Sequence, residues 1–188
     1  MTTYLILVKH SIPAREADRP ANTWRLSEEG RRRAQRLAEQ LKDFQPEVLV
    51  SSKEPKAKET AEIIAGLLQL EMQVVEGLHE HDRSSVPYLS AEVFHASVHE
   101  FFLKPAELVF GRETGNQAYT RFYRAVHSVL STHRDKTVVI VTHGTVLSLF
   151  VSRLTGVDAL SLWKELGLPS FIAMEVGADT VIVRNNIV

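Results

Sequence analysis

The sequence predicts a three-layer α/β/α sandwich built on a mainly parallel sheet, with residues 1–188 forming one domain. Tyr4–Val8 and Val138–Val141, with Val48–Val50 as a weaker third case, are short continuous β-rich apolar runs. Strands covered by helices on both faces read this way. Helix-length amphipathic stretches lie between these runs, long enough to supply the crossovers a parallel sheet requires. With 188 residues, 44% hydrophobic and 24% charged, the chain can bury a substantial core without covalent staples.

The elements follow in order. After the first strand, Ser27 is an N-cap candidate for a helix whose apolar residues Ala34, Leu37, Ala38, Leu41 and Phe44 recur at helical spacing. Pro55 suits the first turn of a second helix carrying Ala57, Ala61, Ile64 and Leu68. An apolar pair, Val74-Val75, precedes Glu80. Residues 84–112 hold a weak helical pattern around Ala91–Leu103, interrupted by Pro87, Pro105 and Gly111. Residues 81–115 are therefore expected to be an excursion covering the site. Phe122, Ala125, Val126, Val129 and Leu130 mark another helix, and Val146–Leu154, apolar nearly all round, a buried one. Phe171–Val176 and Thr180–Val183, flanking Gly177-Ala178-Asp179, predict a hairpin.

Composition excludes several classes of function. The absence of cysteine removes disulfides, thiol catalysis and thiolate metal sites. A net charge of -1 gives no reason to expect a nucleic-acid or anionic-membrane partner. The first apolar run is too short for a signal-peptide core or a membrane span, so the expected compartment is the cytoplasm.

In open α/β sheets ligands bind beyond the carboxyl ends of the strands. Lys9, His10 and Ser11 follow the first run, Ser51-Ser52 and Lys56 the second, and His143, Gly144 and Thr145 the late buried one; Glu80 lies past Val75. Two histidines and two lysines at neighbouring strand ends suit a phosphate dianion, since both residue types donate charge-assisted hydrogen bonds. Free N–H groups at the helix starts near Lys56 and at Gly144-Thr145 would add to the attraction. Taken singly, each of these residues reads as a strand-end, surface or helix-start group; the combination carries the inference.

The combination also resembles a known family. Leu7-Val8-Lys9-His10-Ser11 is similar to the Leu-Val-Arg-His-Gly signature of the phosphoglycerate-mutase-like histidine phosphatases (branch 1 type), in which that histidine is phosphorylated. Ser51-Ser52-Lys53-Glu54-Pro55-Lys56-Ala57-Lys58-Glu59-Thr60-Ala61 resembles the family's Ser-Ser-Pro-Leu-x-Arg-Ala-x-Gln-Thr-Ala, Leu26-Ser27-Glu28-Glu29-Gly30 its Leu-Thr-x-x-Gly, and Val141-Thr142-His143-Gly144 its second-histidine motif. Leu78-His79-Glu80 stands where the family has its acid. The resemblance implies a metal-independent, cofactor-free phosphatase acting on a small phosphorylated substrate. His10 would attack phosphorus, Glu80 protonate the leaving oxygen and His143 stabilise the transferred group, with Lys9, Lys56, Ser11, Gly144 and Thr145 binding substrate. The sequence departs from the pattern at both phosphate-binding arginines, here Lys9 and Lys56, at the glycine, here Ser11, and at the acidic and asparagine positions, here Ile12 and Glu16. Lysine keeps the charge but loses the bidentate fork.

Three other readings are open. His79-Glu80-His81-Asp82 with His10 or His143 could form a metallohydrolase site, although no second ligand motif accompanies it. The lysine replacements would also suit a phosphate-binding module without turnover. A phosphomutase is disfavoured by the absence of long insertions. Selectivity is assigned to residues 81–115, with His81, Arg83, Tyr88 and Arg112 as candidates.

Overall fold

The computed structural model describes residues 3–176 with their side chains and 180–186 by backbone alone. Among the described residues six strands form one sheet: β1 (Tyr4–Lys9), β2 (Val48–Ser51), β3 (Met72–Val74), β4 (Val138–Thr142), β5 (Ser170–Glu175) and β6 (Thr180–Asn186). Their order is β3-β2-β4-β1-β5-β6. The first four in that order run parallel, and β5 and β6 close one edge antiparallel. The expected hairpin is thus present as a strand pair, while its turn at 177–179 lies outside the described residues.

The α-helices among the described residues are six and cover the sheet: α1 (Glu28–Leu41), α2 (Pro55–Leu68), α3 (Ala91–Leu103), α4 (Gly115–Thr132), α5 (Gly144–Thr155) and α6 (Ala159–Glu165). The two-residue period of each central strand divides the core in two. Ile6, Val8, Leu49, Val139 and Val141 face α1 and α2, meeting Leu37, Leu41, Ala61 and Ile64. Leu5, Leu7, Val50, Val138 and Ile140 face the other way, against Phe122 and Val126 of α4, Leu147 and Val151 of α5, and Phe101 of α3. This is the expected three-layer sandwich.

Local signals account for the helix starts. The Ser27 hydroxyl accepts the Gly30 N–H at 3.0 Å, and Pro55 opens α2. The weak pattern at Ala91–Leu103 is a complete helix started by Ser90, and α4 begins with a reciprocal capping box between Thr114 and Gln117. Phe44, which continues the α1 period, falls in a following 3-10 turn and packs edge-on against Tyr4 and Phe171. Among the described residues no helix is long and apolar enough to cross a membrane.

Candidate active site

Neighbouring strands deliver the site. β2, β4 and β1 are adjacent, and the backbone ladder continues past their ends: the His10 N–H donates to Thr142 and the Ser52 N–H to Val141, both at 2.9 Å. His143 follows β4 and caps α5. The rings of His10 and His143 therefore lie 5.2 Å apart, inclined at 62°. His143 is fully buried and shares a 2.8 Å hydrogen bond between Nε2 and the Ser52 hydroxyl.

The tautomer of His10 follows from its neighbour. Its Nδ1 lies 2.7 Å from the Ser11 carbonyl oxygen, which can only accept, so Nδ1 carries the proton. Nε2 keeps its lone pair and has no partner among the described residues. Burial, the adjacent His143 and Lys56 hold the imidazole well below its ordinary pKa, which keeps it neutral at neutral pH. Burial and Lys56 do the same for His143.

The lysines approach His10 from two sides. Lys9 donates to the Leu166 carbonyl at 2.8 Å, and burial lowers its pKa to about 8, partly offset by Glu80. Gly144 leaves room for it: a Cβ there would stand 3.1 Å from Lys9 Cε. Lys56 is bound by Glu54 at 2.6 Å and by the Ala21 carbonyl at 2.7 Å. The sequence reading did not single out Glu54, although this carboxylate also accepts the Glu80 N–H at 2.9 Å and lies 3.6 Å from His143 Nε2. Only its place before Pro55 at a helix start hinted at it. Ser11 is fully buried; its N–H donates to the Thr60 hydroxyl, and its own hydroxyl has no partner.

Glu80 corrects one expectation. The sequence offers the N–H groups of Gly144-Thr145 to phosphate, but that of Thr145, together with that of Val146, points to the Glu80 carboxylate, at 3.2 and 3.3 Å. A helix N-terminus favours an anion, and here the chain supplies its own. The His81 N–H adds a third contact at 2.8 Å, and Arg83 stands 3.6 Å away. Burial alone would raise the pKa of Glu80, but Arg83, His143 and the His81 N–H outweigh it and hold the group ionised. Arg121 fixes the segment from behind by donating to the carbonyls of Gly77, His79 and Glu80 while pairing with Glu113. Neither Arg121 nor Glu113 was recognisable in the sequence, because beyond their mutual pair they act on backbone atoms 31 to 44 residues away.

The His79–Asp82 cluster does not converge. Glu80 faces α5, His81 shares a hydrogen bond with the Glu113 carbonyl and stacks near Phe101, and Asp82 accepts from Ser84. Among the described residues no group of three or more histidine, aspartate or glutamate side chains is placed to hold a metal ion.

Two cavities meet over His10, of about 240 and 320 Å³, and both reach Arg15, Glu80, Arg83, Phe94 and His95. The first extends past Lys56 toward Trp24 and Tyr88, the second past Lys9 toward Trp163 and Lys164. Of the four selectivity candidates, Arg83 and Tyr88 line them; His81 and Arg112 do not. Arg15, Trp24 and Phe94 were missed, since no motif marks a loop residue as cavity-lining.

A neutral buried histidine with an accessible ring nitrogen, flanked by two lysines, a second histidine and a fixed carboxylate beyond a parallel sheet, defines a site of the phosphate-handling class. The chain belongs to the histidine phosphatase superfamily (branch 1), whose family model matches residues 5–184. Phosphoglycerate mutase-like protein 4 of Arabidopsis thaliana is 28% identical over 160 residues, covering 79% of this chain and 70% of that protein. The phosphatase PhoE of Bacillus subtilis is 26% identical over 133 residues, 71% of this chain; the match spans 66% of PhoE. Among solved structures, mycobacterial glucosyl-3-phosphoglycerate phosphatase superposes with a TM-score of 0.77 at 19% identity, covering 99% of this chain and 100% of that one. Entamoeba histolytica phosphoserine phosphatase, in complex with phosphoserine, gives 0.77 at 18%, covering 97% and 96%.

Proposed function

We propose that this protein hydrolyses a small phosphomonoester, or a phosphohistidine, through a covalent intermediate on His10 and without a metal or other cofactor. The observation that carries this reading is the Nδ1 contact to the Ser11 carbonyl, which leaves the Nε2 lone pair available between the two cavities. In the first step Nε2 forms the N–P bond as the ester P–O bond breaks, and Glu80 gives a proton to the leaving oxygen. In the second, water attacks phosphorus, the N–P bond breaks, Glu80 takes a proton from the water and inorganic phosphate leaves. Glu80 rests ionised, as the second step requires. A phosphate dianion beside it disfavours a further negative charge, so bound substrate lifts the carboxyl toward the acid form needed in the first step. Lys9 and Lys56 neutralise the equatorial oxygens and the neutral His143 ring donates a hydrogen bond to the transferring group, in a transfer that rests on positioning and electrostatics. Ser11, Gly144 and Thr145 act from behind: one orients His10, one makes room for Lys9, one holds Glu80.

The tethers on Lys9 and Lys56 favour a second reading, a module that binds phosphate without turnover. Rapid quench with labelled substrate separates the two. The expected result is an acid-labile, base-stable phosphoramidate on His10. Phosphate bound without any covalent intermediate, or an acid-stable ester on Ser11, would overturn the phosphatase reading.

A further inference from the structure

The residues lining the cavities point beyond phosphate itself. Six lysine and arginine side chains, Lys9, Arg15, Arg19, Lys56, Arg83 and Lys164, line the cavities in a chain whose net charge is only -1; Arg19 pairs with Glu16, Lys56 with Glu54 and Arg83 with Glu80. Lys9, Arg15 and Lys164 have no ion pair among the described residues and leave an excess of positive charge at this mouth. Lys9 and Lys56 suffice to flank a phosphate at His10. Arg15, exposed and lining both cavities, has no hydrogen bond or ion pair among the described residues. A guanidinium left free where two cavities join is disposed to take a carboxylate or phosphate oxygen pair.

The cavity past Lys56 has a second character. Trp24 and Tyr88 form its wall with ring centroids 6.5 Å apart, and Pro13, Pro87 and Phe94 complete it. Its 240 Å³ exceeds the cavity of about 150 Å³ that takes a benzene ring. Tyr88 is 55% exposed, an apolar ring held open to solvent beside a charged site. Small polar leaving groups have no use for such a wall.

We infer that the substrate is a phosphomonoester whose leaving group carries both an aromatic body, seated against Trp24 and Tyr88, and a second anionic group, held by Arg15. The inference rests on the assignment of His10 as the phosphoryl acceptor. Its test is a panel of four alkoxide esters, in which leaving-group basicity is nearly constant: ethyl phosphate, benzyl phosphate, phosphoglycolate and 4-carboxybenzyl phosphate. The expected order of kcat/KM places 4-carboxybenzyl phosphate first and ethyl phosphate last. Tyr88→Ala, which removes no hydrogen bond among the described residues, should cost the two benzyl esters roughly three- to tenfold and ethyl phosphate a smaller fraction. Arg15→Ala should cost the two carboxylate esters about fivefold more than their uncharged counterparts. Equal kcat/KM across the panel, or equal fractional losses in both variants, would overturn the inference. Binding of the matching phosphonates, measured by calorimetry, reads the same ranking without turnover. A protein that ranks the phosphonates but forms no phosphoramidate keeps this inference and loses the phosphatase reading; one that forms it but ranks nothing does the reverse.

Discussion

The floor and the roof of the site are built differently. The floor consists of His10, His143, Lys9, Lys56 and Glu80, each joined to sheet or helix backbone, or to a buried partner, by short hydrogen bonds. The roof consists of Arg15, Trp24, Tyr88 and Phe94, carried on the loop after β1, on the segment before α3 and on α3 itself; Arg15 and Tyr88 are exposed and untethered. The contrast separates two tasks. Phosphoryl transfer gains only from groups already in place, whereas leaving-group choice needs shape and charge that can be exchanged without disturbing the core.

Perturbing the floor at Glu80 should produce the largest effect. Glu80→Gln keeps an acceptor oxygen for the α5 N–H groups but has no acidic proton. Single-turnover phosphorylation by an alkyl phosphate should fall by about 10²–10⁴, and by p-nitrophenyl phosphate much less, because nitrophenolate leaves unaided. Equal fractional losses would remove Glu80 as the leaving-group acid and turn attention to Asp82.

A smaller but double effect is expected at Lys56. Lys56→Ala should weaken phosphate binding by the worth of a charge-assisted contact, about 1.5–3 kcal/mol, and leave Glu54 buried without its cation, at a cost in stability of about 3–5 kcal/mol. Replacing both, Lys56→Met with Glu54→Gln, should restore most of the stability in urea unfolding but not the inhibition by phosphate. If Lys56→Ala changes neither reading, Lys56 belongs to the exchangeable roof.

The smallest effect is a shift in pH profile. Lys9 in the free protein loses its proton as pH rises through about 8, so kcat/KM should decline there. With His10 as the proposed nucleophile, which must be neutral to attack, the acid limb should lie below the ordinary histidine range because its pKa is depressed. Lys9→Arg keeps its charge and should carry the plateau past about pH 9, since a guanidinium does not titrate in this range. An unchanged alkaline limb would show that Lys9 does not meet the substrate.

The same division decided what could be read from the sequence. Tyr4–Val8, Val48–Val50 and Val138–Val141 announced strands because both their faces are buried, and the residues just after them had to lie at one sheet edge. His10, Lys56 and His143 were legible for that reason, and Glu80 by its place after Val75. Glu54 and Arg121 act on groups 26 and 41 residues away, along contacts that leave no periodic trace. Arg15, Trp24 and Phe94 depend on how a loop and a helix close over the sheet, which neither spacing nor composition encodes.

Gly30 gives the site one further property. A Cβ at this position would stand 2.1 Å from the Ile12 carbonyl oxygen, which accepts from both the N–H and the hydroxyl of Ser27. Below that grip, Pro13 bridges Leu26, and the Ala14 N–H donates to the Arg25 carbonyl at 2.8 Å. The chain leaves and re-enters the core through one narrow doorway, and beyond it residues 15 to 24 are tied back at Ala21, whose carbonyl accepts from Lys56. Length and sequence can therefore change on the far side of the doorway, as in a grafted antibody loop, so long as the Ala21 carbonyl keeps its hold on Lys56, while the Ile12 carbonyl, one residue past the one that sets the His10 tautomer, stays where Ser27 holds it.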